Sequence, residues 1–510
     1  MSEVSNPQNL GRSPSDSRRL ASYRRVPSRF IPVHRIALAS LCLVAAGCAH
    51  YRLNERLHQV AQEGYRFDAI EAGSNSDSLF ICLTFSGGGT RAAALAYGVL
   101  SKLASVTVHW DGQTIRLLDE VDCISSVSGG SFTAAYYAIY GDAIFKDFGD
   151  RFLYRNIEMD LLKRVLSPVN WVRLASPYFS RIDLAAELYD ETIFGRQTFR
   201  NLLAKKRRPF LIINATHMQL GERFEFTQDR FDFLGSELLA FPIGRAVAAS
   251  SAFPFLLSPI SLQNFPPAQG FAIPESVSLA LNDYYTNPRR YKWAKNLLAY
   301  TDKRAHPYVH LMDGGLADNI GLRALIDEYY RGFIRDRLSG KIKKLVIIAA
   351  NARTMPHETL DMRERPPSLG TVAYKTATIS MDSYSFETVE MMHALASERQ
   401  KAQLALKHCQ EAVDVRCPGK PRLTPLAGGE LESFVIELNF DAVKDEKERE
   451  CFLGLPTSFS LPRHQVRALS EVAGELLDAN PTFQDLLRAL KVEPGSAKSP
   501  ARLAHCQQSP

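Results

Sequence analysis

Residues 121–140 read VDCISSVSGGSFTAAYYAIY, and the character of that stretch changes at Ser128. Up to Ser126 it is short and largely apolar, the pattern of a buried strand, and around Gly129 a helix-forming composition begins. A serine held where a strand turns sharply into a helix projects its hydroxyl away from the sheet. Small neighbours at Ser126 and Gly130 relieve crowding at such an elbow. The free N–H groups of a helix start also point at any oxyanion formed beside it.

The same strand, turn and helix pattern occurs upstream. LFICLTF at 79–85 is a short apolar run that enters SGGGTR at 86–91, and Ala92–Leu103 follow with helical composition. Two such units predict an α/β sheet with its chemistry at the carboxyl ends of the strands. Consecutive glycines let backbone N–H groups approach an oxyanion without a Cβ in the way, which makes Gly88 and Gly89 the leading donors. Neither phosphate-binding glycine pattern fits the run. Arg91 can brace that loop, meet a lipid phosphate or form a surface salt bridge. Further strands are expected at PFLIINAT (209–216), VHLM (309–312) and KKLVIIAANA (343–352, parallel), with a long helix over 384–409. The strand at 309–312 leads into DGGLADNIG, where Asp313 is a candidate carboxylate, Asp318 a helix cap and Asn319 a neighbouring competitor. The aromatic-rich insertion at 261–305 is expected to form a lid.

The combination of GGGTR at 87–91, SVSGG at 126–130 and DGG at 313–315, in that order and each at a strand exit, resembles the patatin-like phospholipase family. The resemblance spans roughly residues 78–350. It implies a three-layer α/β fold with a central, mostly parallel sheet between helices, and hydrolysis of acyl esters of phospholipids, lysophospholipids or neutral lipids. It assigns Ser128 as nucleophile, Asp313 as its acid/base partner and Gly87, Gly88 and Gly89 as the oxyanion hole, with no metal or other cofactor. The family usually has glycine where this chain has Ser126; both are small. Two rival readings stand beside it: a Ser-Asp-His esterase with His310 as first candidate, and a non-catalytic lipid-binding lipoprotein.

With 61 Lys and Arg against 55 Asp and Glu, the basic excess is small and part of it sits in the first 35 residues, so nucleic acid is not expected as a partner. IALASLCLVAAG at 36–47 is shorter than the roughly 20 residues that span a bilayer and suits the apolar region of an export signal. Its small residues just before Cys48 resemble a bacterial lipoprotein box, with Ala45 where such boxes usually have Leu. Lipidation at Cys48, attachment to the cell envelope and, since Ala49 rather than Asp follows, an outer-membrane destination are expected. Cys82 and Cys123 read as buried thiols, and Cys409 with Cys417 as a possible local disulfide. The expected division is a signal peptide at 1–47, a tether at 48–77, a catalytic core at 78–350, a helical extension packed on it at 351–493 and a disordered tail at 494–510.

Overall fold

A strand with six apolar residues in seven can be tolerated only if both faces of the sheet are covered, and Leu79–Phe85, Thr84 included, is buried throughout. The computed structural model describes residues 50–60, 64–71, 73–254, 256–331, 341–355, 360–362, 364–424, 431–493 and 495–507. The signal peptide and Cys48 therefore lie outside the described residues. The central sheet has eight strands: β1 (Leu79–Phe85), β2 (Val121–Val127), β3 (Phe210–His217), β4 (Glu222–Glu225), β5 (Ile260–Gln263), β6 (Tyr308–Asp313), β7 (Lys344–Ala350) and β8 (Glu432–Leu438). Their order is β8-β7-β1-β2-β3-β6-β5, with β4 also paired to β3. The five strands from β8 to β3 run parallel, while β6 is antiparallel to both β3 and β5. Around this sheet lie α1 (Gly89–Ser105), α2 (Gly129–Tyr140), α3 (Ile157–Leu166), α4 (Ile243–Ser250), α5 (Leu369–Arg416) and α6 (Arg463–Ala479).

The parallel register brings the ends of β7, β1 and β2 level, since Ala350 lies beside Phe85 and Phe85 beside Ser126. The glycine loop after β1 and Ser128 after β2 thus emerge side by side. How Asp313 joins them is a matter of strand edges, because successive residues of a strand turn their backbone groups to opposite sides. On β3 the odd-numbered residues face one edge: Leu211 bonds the Tyr65 hydroxyl through its N–H (2.9 Å) and C=O (3.2 Å), and Ile213 O accepts from Phe226 N–H (3.0 Å). The even-numbered residues face the other, where Ile212 O accepts from the Ser126 hydroxyl (3.2 Å) and Met218 N–H donates to His310 O (2.9 Å). Strands β2 and β6 therefore share one edge of β3 and run toward each other along it. Val127 stops opposite Asn214 and Asp313 opposite Ala215.

Several expectations change. The core does not close at 350, because β8 extends the sheet beyond β7. The described part of the tether is docked: Glu55–Arg56 pair with Ser236–Glu237, and Asn54 Nδ2 donates to Ser236 Oγ and Gln263 O, both at 2.9 Å. The tail over 495–507 is also held, in spite of its low apolar content, by a Cys451–Cys506 disulfide, an Arg502–Glu448 pair at 2.6 Å and a hydrogen bond from Lys102 Nζ to Ser499 Oγ at 2.9 Å. Cys82 and Cys123 are bonded to each other across neighbouring strands rather than free. Cys409 and Cys417 are exposed and unbonded. Eight residues along and just past α5 separate them by about 12 Å, too far for a bridge.

Tyr65 ties the segment before β1 to the outer edge of β3, and it is 1% exposed. Tyr65→Phe leaves the Leu211 N–H buried without its acceptor. The expected loss is about 1–3 kcal/mol of unfolding free energy, measured as a lowered urea midpoint at unchanged slope; an unmoved midpoint would show that the segment adds nothing.

Candidate active site

Ser128 sits between β2 and α2 with φ 47° and ψ −118°, a conformation that costs a non-glycine residue on the order of 1–3 kcal/mol. Neighbouring groups over-determine it. The Ser128 N–H donates to Ser250 Oγ (2.8 Å), whose own hydroxyl donates to Asn214 O (2.6 Å). Gly130 N–H donates to Ser86 O at 3.1 Å, which fastens the elbow to the loop after β1. A Cβ on Gly129 would lie 2.1 Å from Gly89 O, so the two turns meet at a distance only glycine permits.

The head-on arrangement of β2 and β6 brings the Ser128 hydroxyl within reach of the carboxylate that ends β6. Ser128 Oγ donates to Asp313 Oδ2 at 2.9 Å, and Gly315 N–H donates to Asp313 Oδ1 at 2.8 Å. Asp313 is 2% exposed. Burial pushes its carboxyl up to about 6, against the opposing pull of the Gly315 N–H and the Ser128 hydroxyl. The end of α4 and the turn after it hold the far side: Asp313 N–H donates to Ala252 O and Gly314 N–H to Ser250 O, each at 3.0 Å.

The glycine loop divides its roles. Gly87 N–H donates to Asn319 O (2.9 Å), so Gly87 is not available as an oxyanion donor as first expected. Among the described hydrogen bonds none uses the N–H of Gly88 or Gly89, and both residues line the cavity that contains Ser128. Arg91 is a brace rather than a surface ion pair. Its guanidinium donates to Ala352 O (2.9 Å), Leu455 O (2.8 Å) and Thr457 Oγ1 (3.1 Å). Burial lowers its pKa to about 10, which leaves it cationic behind the loop at neutral pH. Asp318 accepts from Gly321 N–H (3.0 Å) and Arg323 N–H (2.8 Å), capping the Arg323–Arg331 helix as expected. Asn319 turns a buried Oδ1 with no hydrogen-bond partner toward Gly87 and Gly315.

Phe253, Leu256, Tyr374, Met381 and Phe459 supply the apolar wall of the cavity. Its roof comes from the first turns of α5 and from the loop at 457–459. The insertion at 261–305, expected as a lid, lines none of it, because its helices Glu275–Ala280 and Pro288–Ala299 pack on each other and the latter on the Arg323–Arg331 helix. No histidine is among the lining residues. The His310 ring is exposed and pairs with Ser261 Oγ at 2.8 Å. The sequence reading missed Ser250, Ser251 and Ala252. The only local trace of them is the run of small residues AVAASSA at 246–252, which lets the turn after α4 press against two strand ends.

In chemical terms the site holds a hydroxyl already directed at a buried, cation-free carboxylate, two uncommitted backbone donors beside it, and an apolar recess. That combination suits attack on an acyl carbon. The family model described as patatin-like phospholipase matches residues 83–326, so a domain of that kind is present in the chain. Solved structures that match this chain in part include human GIVD cytosolic phospholipase A2, at 15% identity over 53% of this chain and 45% of that one, with a TM-score of 0.35. The same enzyme in complex with methyl gamma-linolenyl fluorophosphonate gives 12% identity, 83% and 60% coverage and a TM-score of 0.38. VipD from Legionella pneumophila gives 12% identity, 83% and 71% coverage and a TM-score of 0.24. The matches thus cover about half the length of the cytosolic phospholipase structures. Among curated proteins, none matches.

Ser250→Ala removes the acceptor of the Ser128 N–H and frees the elbow to relax from its positive φ. Covalent labelling of Ser128 by an alkyl fluorophosphonate should then slow by about tenfold or more, the effect of misplacing a nucleophile, in a chain whose circular dichroism is unchanged. Labelling at the original rate would show that the elbow holds itself.

Proposed function

We propose that the protein is a lipid acyl hydrolase that cleaves carboxylic esters of phospholipids or lysophospholipids through an acyl-serine intermediate. The observation that carries the reading is the 2.9 Å hydrogen bond from the Ser128 hydroxyl to a buried Asp313 with no cationic partner. In the proposed sequence Ser128 Oγ attacks the ester carbon as its proton passes to Asp313, and the carbonyl oxygen, now negative, is met by the N–H groups of Gly88 and Gly89. Collapse expels the alcohol, which takes the proton from Asp313. Water then gives a proton to Asp313, attacks the acyl-serine and releases the fatty acid, and Ser128 recovers its proton. Arg91 keeps a positive charge behind the donors while its protein acceptors hold the loop rigid. A histidine base has no candidate among the residues lining the cavity, which favours the dyad over a Ser-Asp-His triad.

A carboxyl with a pKa near 6 is a better general base at neutral pH than one near 4, yet remains mostly ionised there. Asp313 must be unprotonated to accept from Ser128. Activity is therefore lost as pH falls through about 6 and levels off above it. A kcat/KM profile on a soluble phenyl ester should show that single ionisation. Ser128→Ala and Asp313→Asn should each remove nearly all turnover, and their combination should cost little more. Full activity in Asp313→Asn would displace Asp313 from the mechanism.

We further propose that the chain is exported and held at the outer membrane of a bacterial envelope by acyl chains on Cys48, a reading supported by the apolar run and small residues that precede it. Cys48→Ser should abolish incorporation of radiolabelled fatty acid and move the folded protein to the soluble fraction. Persistent label in that variant would place the modification elsewhere.

A further inference from the structure

A phospholipid ester reaches an enzyme as part of an aggregate, not as a free solute, so the mouth of the cavity must meet a lipid surface. Two apolar segments flank that mouth. On one side Glu158, in the first turn of α3, lines the cavity, and the same helix exposes Met159, Leu162 and Leu166 at the spacing of a single face. The helix Pro168–Leu174 follows with Val169 and Trp171 exposed, Trp171 at 58%, and residues 165–172, VLSPVNWV, carry no charge. On the other side Tyr374, in the second turn of α5, lines the cavity with its ring 5.9 Å from Phe253. The same end of α5 exposes Leu369 at 85%, Val372 and Ile379, and Lys375 is the only charged residue from 366 to 381. Leu256 lines the cavity and is 62% exposed, which makes the recess continuous with the surface outside it.

We infer that these two segments are a membrane-docking face that seats the cavity mouth on a phospholipid bilayer. The inference rests on the proposed hydrolase reading for its choice of occupant. Solvent-exposed helix faces are ordinarily charged, and exposed apolar faces on both sides of a cavity mouth mark a partner. The composition fits a lipid surface. Leucine and valine form the centre, and Trp171 and Tyr374 present amphipathic rings of the kind that settle at the headgroup level. With the two segments at the bilayer, an acyl chain passes from lipid to the wall of Phe253, Leu256 and Phe459 without crossing water.

The experiment uses the full-length chain with Cys48→Ser, so that no acyl anchor holds it, and with Ser128→Ala, so that hydrolysis does not alter the vesicles. Vesicles of phosphatidylcholine and phosphatidylglycerol with brominated acyl chains should quench Trp171 by about half, with Trp171→Phe supplying the background from Trp110 and Trp293. Val169→Glu combined with Val372→Glu, neither of which lines the cavity, should abolish the quenching. In the Ser128 form the same pair should cut vesicle phospholipid turnover by about tenfold or more while soluble-ester turnover stays within about twofold. Should the double variant lose soluble-ester turnover through misfolding, each single variant is read by quenching instead. An unquenched Trp171, or vesicle turnover unchanged in the folded variants, overturns the docking face. So does a dimer that the charged variants dissociate in sedimentation velocity without any quenching, since a second copy would then be the occupant. Absence of any ester turnover alongside intact quenching would reject the hydrolase reading and leave the face standing.

Discussion

One edge of one strand organises the site. The even-numbered backbone groups of β3 are taken by β2 along most of its length and by β6 at its carboxyl end, and the two partners meet head-on. Residues 185 apart in sequence, Ser128 just after β2 and Asp313 at the end of β6, are thereby placed within hydrogen-bond reach. Two strands that end against each other leave backbone groups unpaired at the junction, and buried orphans of this kind are costly. In the register of β6, Gly314 comes opposite Asn214, so close that a Cβ on it would lie 2.3 Å from Asn214 O, yet the hydrogen bonds of both go to Ser250. Its hydroxyl donates to Asn214 O and accepts from Ser128 N–H, and its carbonyl accepts from Gly314 N–H. The same serine that completes the sheet at its break therefore fixes both the elbow and the turn that carries the carboxylate.

Burial alone does not mark Asp313 out. Asp122, in β2 at the opposite end of the sheet, is also buried, and desolvation pushes its pKa up to about 7. There the carboxylate is met by Arg208 and by the Ile81 N–H at 2.7 Å, so its proton affinity serves no hydroxyl and its partners are structural. Asp313 has a backbone N–H on one oxygen and a serine hydroxyl on the other, with no cation among the causes of its shift. A guanidinium at 313 would lower the pKa and compete for the oxygen that Ser128 needs. Arg91, which lines the same cavity, directs donors at two carbonyls and a hydroxyl, and none of its hydrogen bonds goes to Asp313.

Legibility in the sequence followed the range of the forces involved. Strands β1, β2, β3 and β7 are visible as short apolar runs because burial on both faces leaves no polar alternation, and the turns after β1, β2 and β6 are visible through glycine and the serine between strand and helix. The direction of β6 is not, since a parallel and an antiparallel strand of six residues have the same composition. The docking of the tether rests on Tyr65 and Asn54, two polar contacts without periodicity. The tail has the composition of a disordered segment, and composition cannot show that Cys451 and Cys506 meet. Ser250 escaped for a related reason: its role depends on two strand ends that only the folded sheet brings together. Aromatic content points to 261–305 as a lid, whereas the residues over Ser128 belong to the first turns of α5 and to the loop at 457–459, neither of which carries a motif.

The proposed catalytic unit is therefore larger than its motifs. Residues 83–326 hold Ser128, Asp313 and the glycine loop, but the loop's shape is set from outside that segment. Thr90 N–H donates to Ser458 O at 2.8 Å, a Cβ on Gly89 would lie 2.3 Å from the same carbonyl, and Arg91 reaches residues 352, 455 and 457. Oxyanion donors are effective when they are pre-aimed and cannot swing away as charge develops. In the role proposed for Gly88 and Gly89, the backbone that would aim them is wedged between the elbow at Gly129 on one side and the 455–458 loop on the other. That loop is itself tied to α3, where Ile157 N–H donates to Phe459 O at 3.2 Å and Glu158 accepts from Phe459 N–H at 2.8 Å. The shape of the glycine loop beside Ser128 thus depends on contacts between parts of the chain as far apart as residues 90 and 458, and the short motifs mark only where those parts converge.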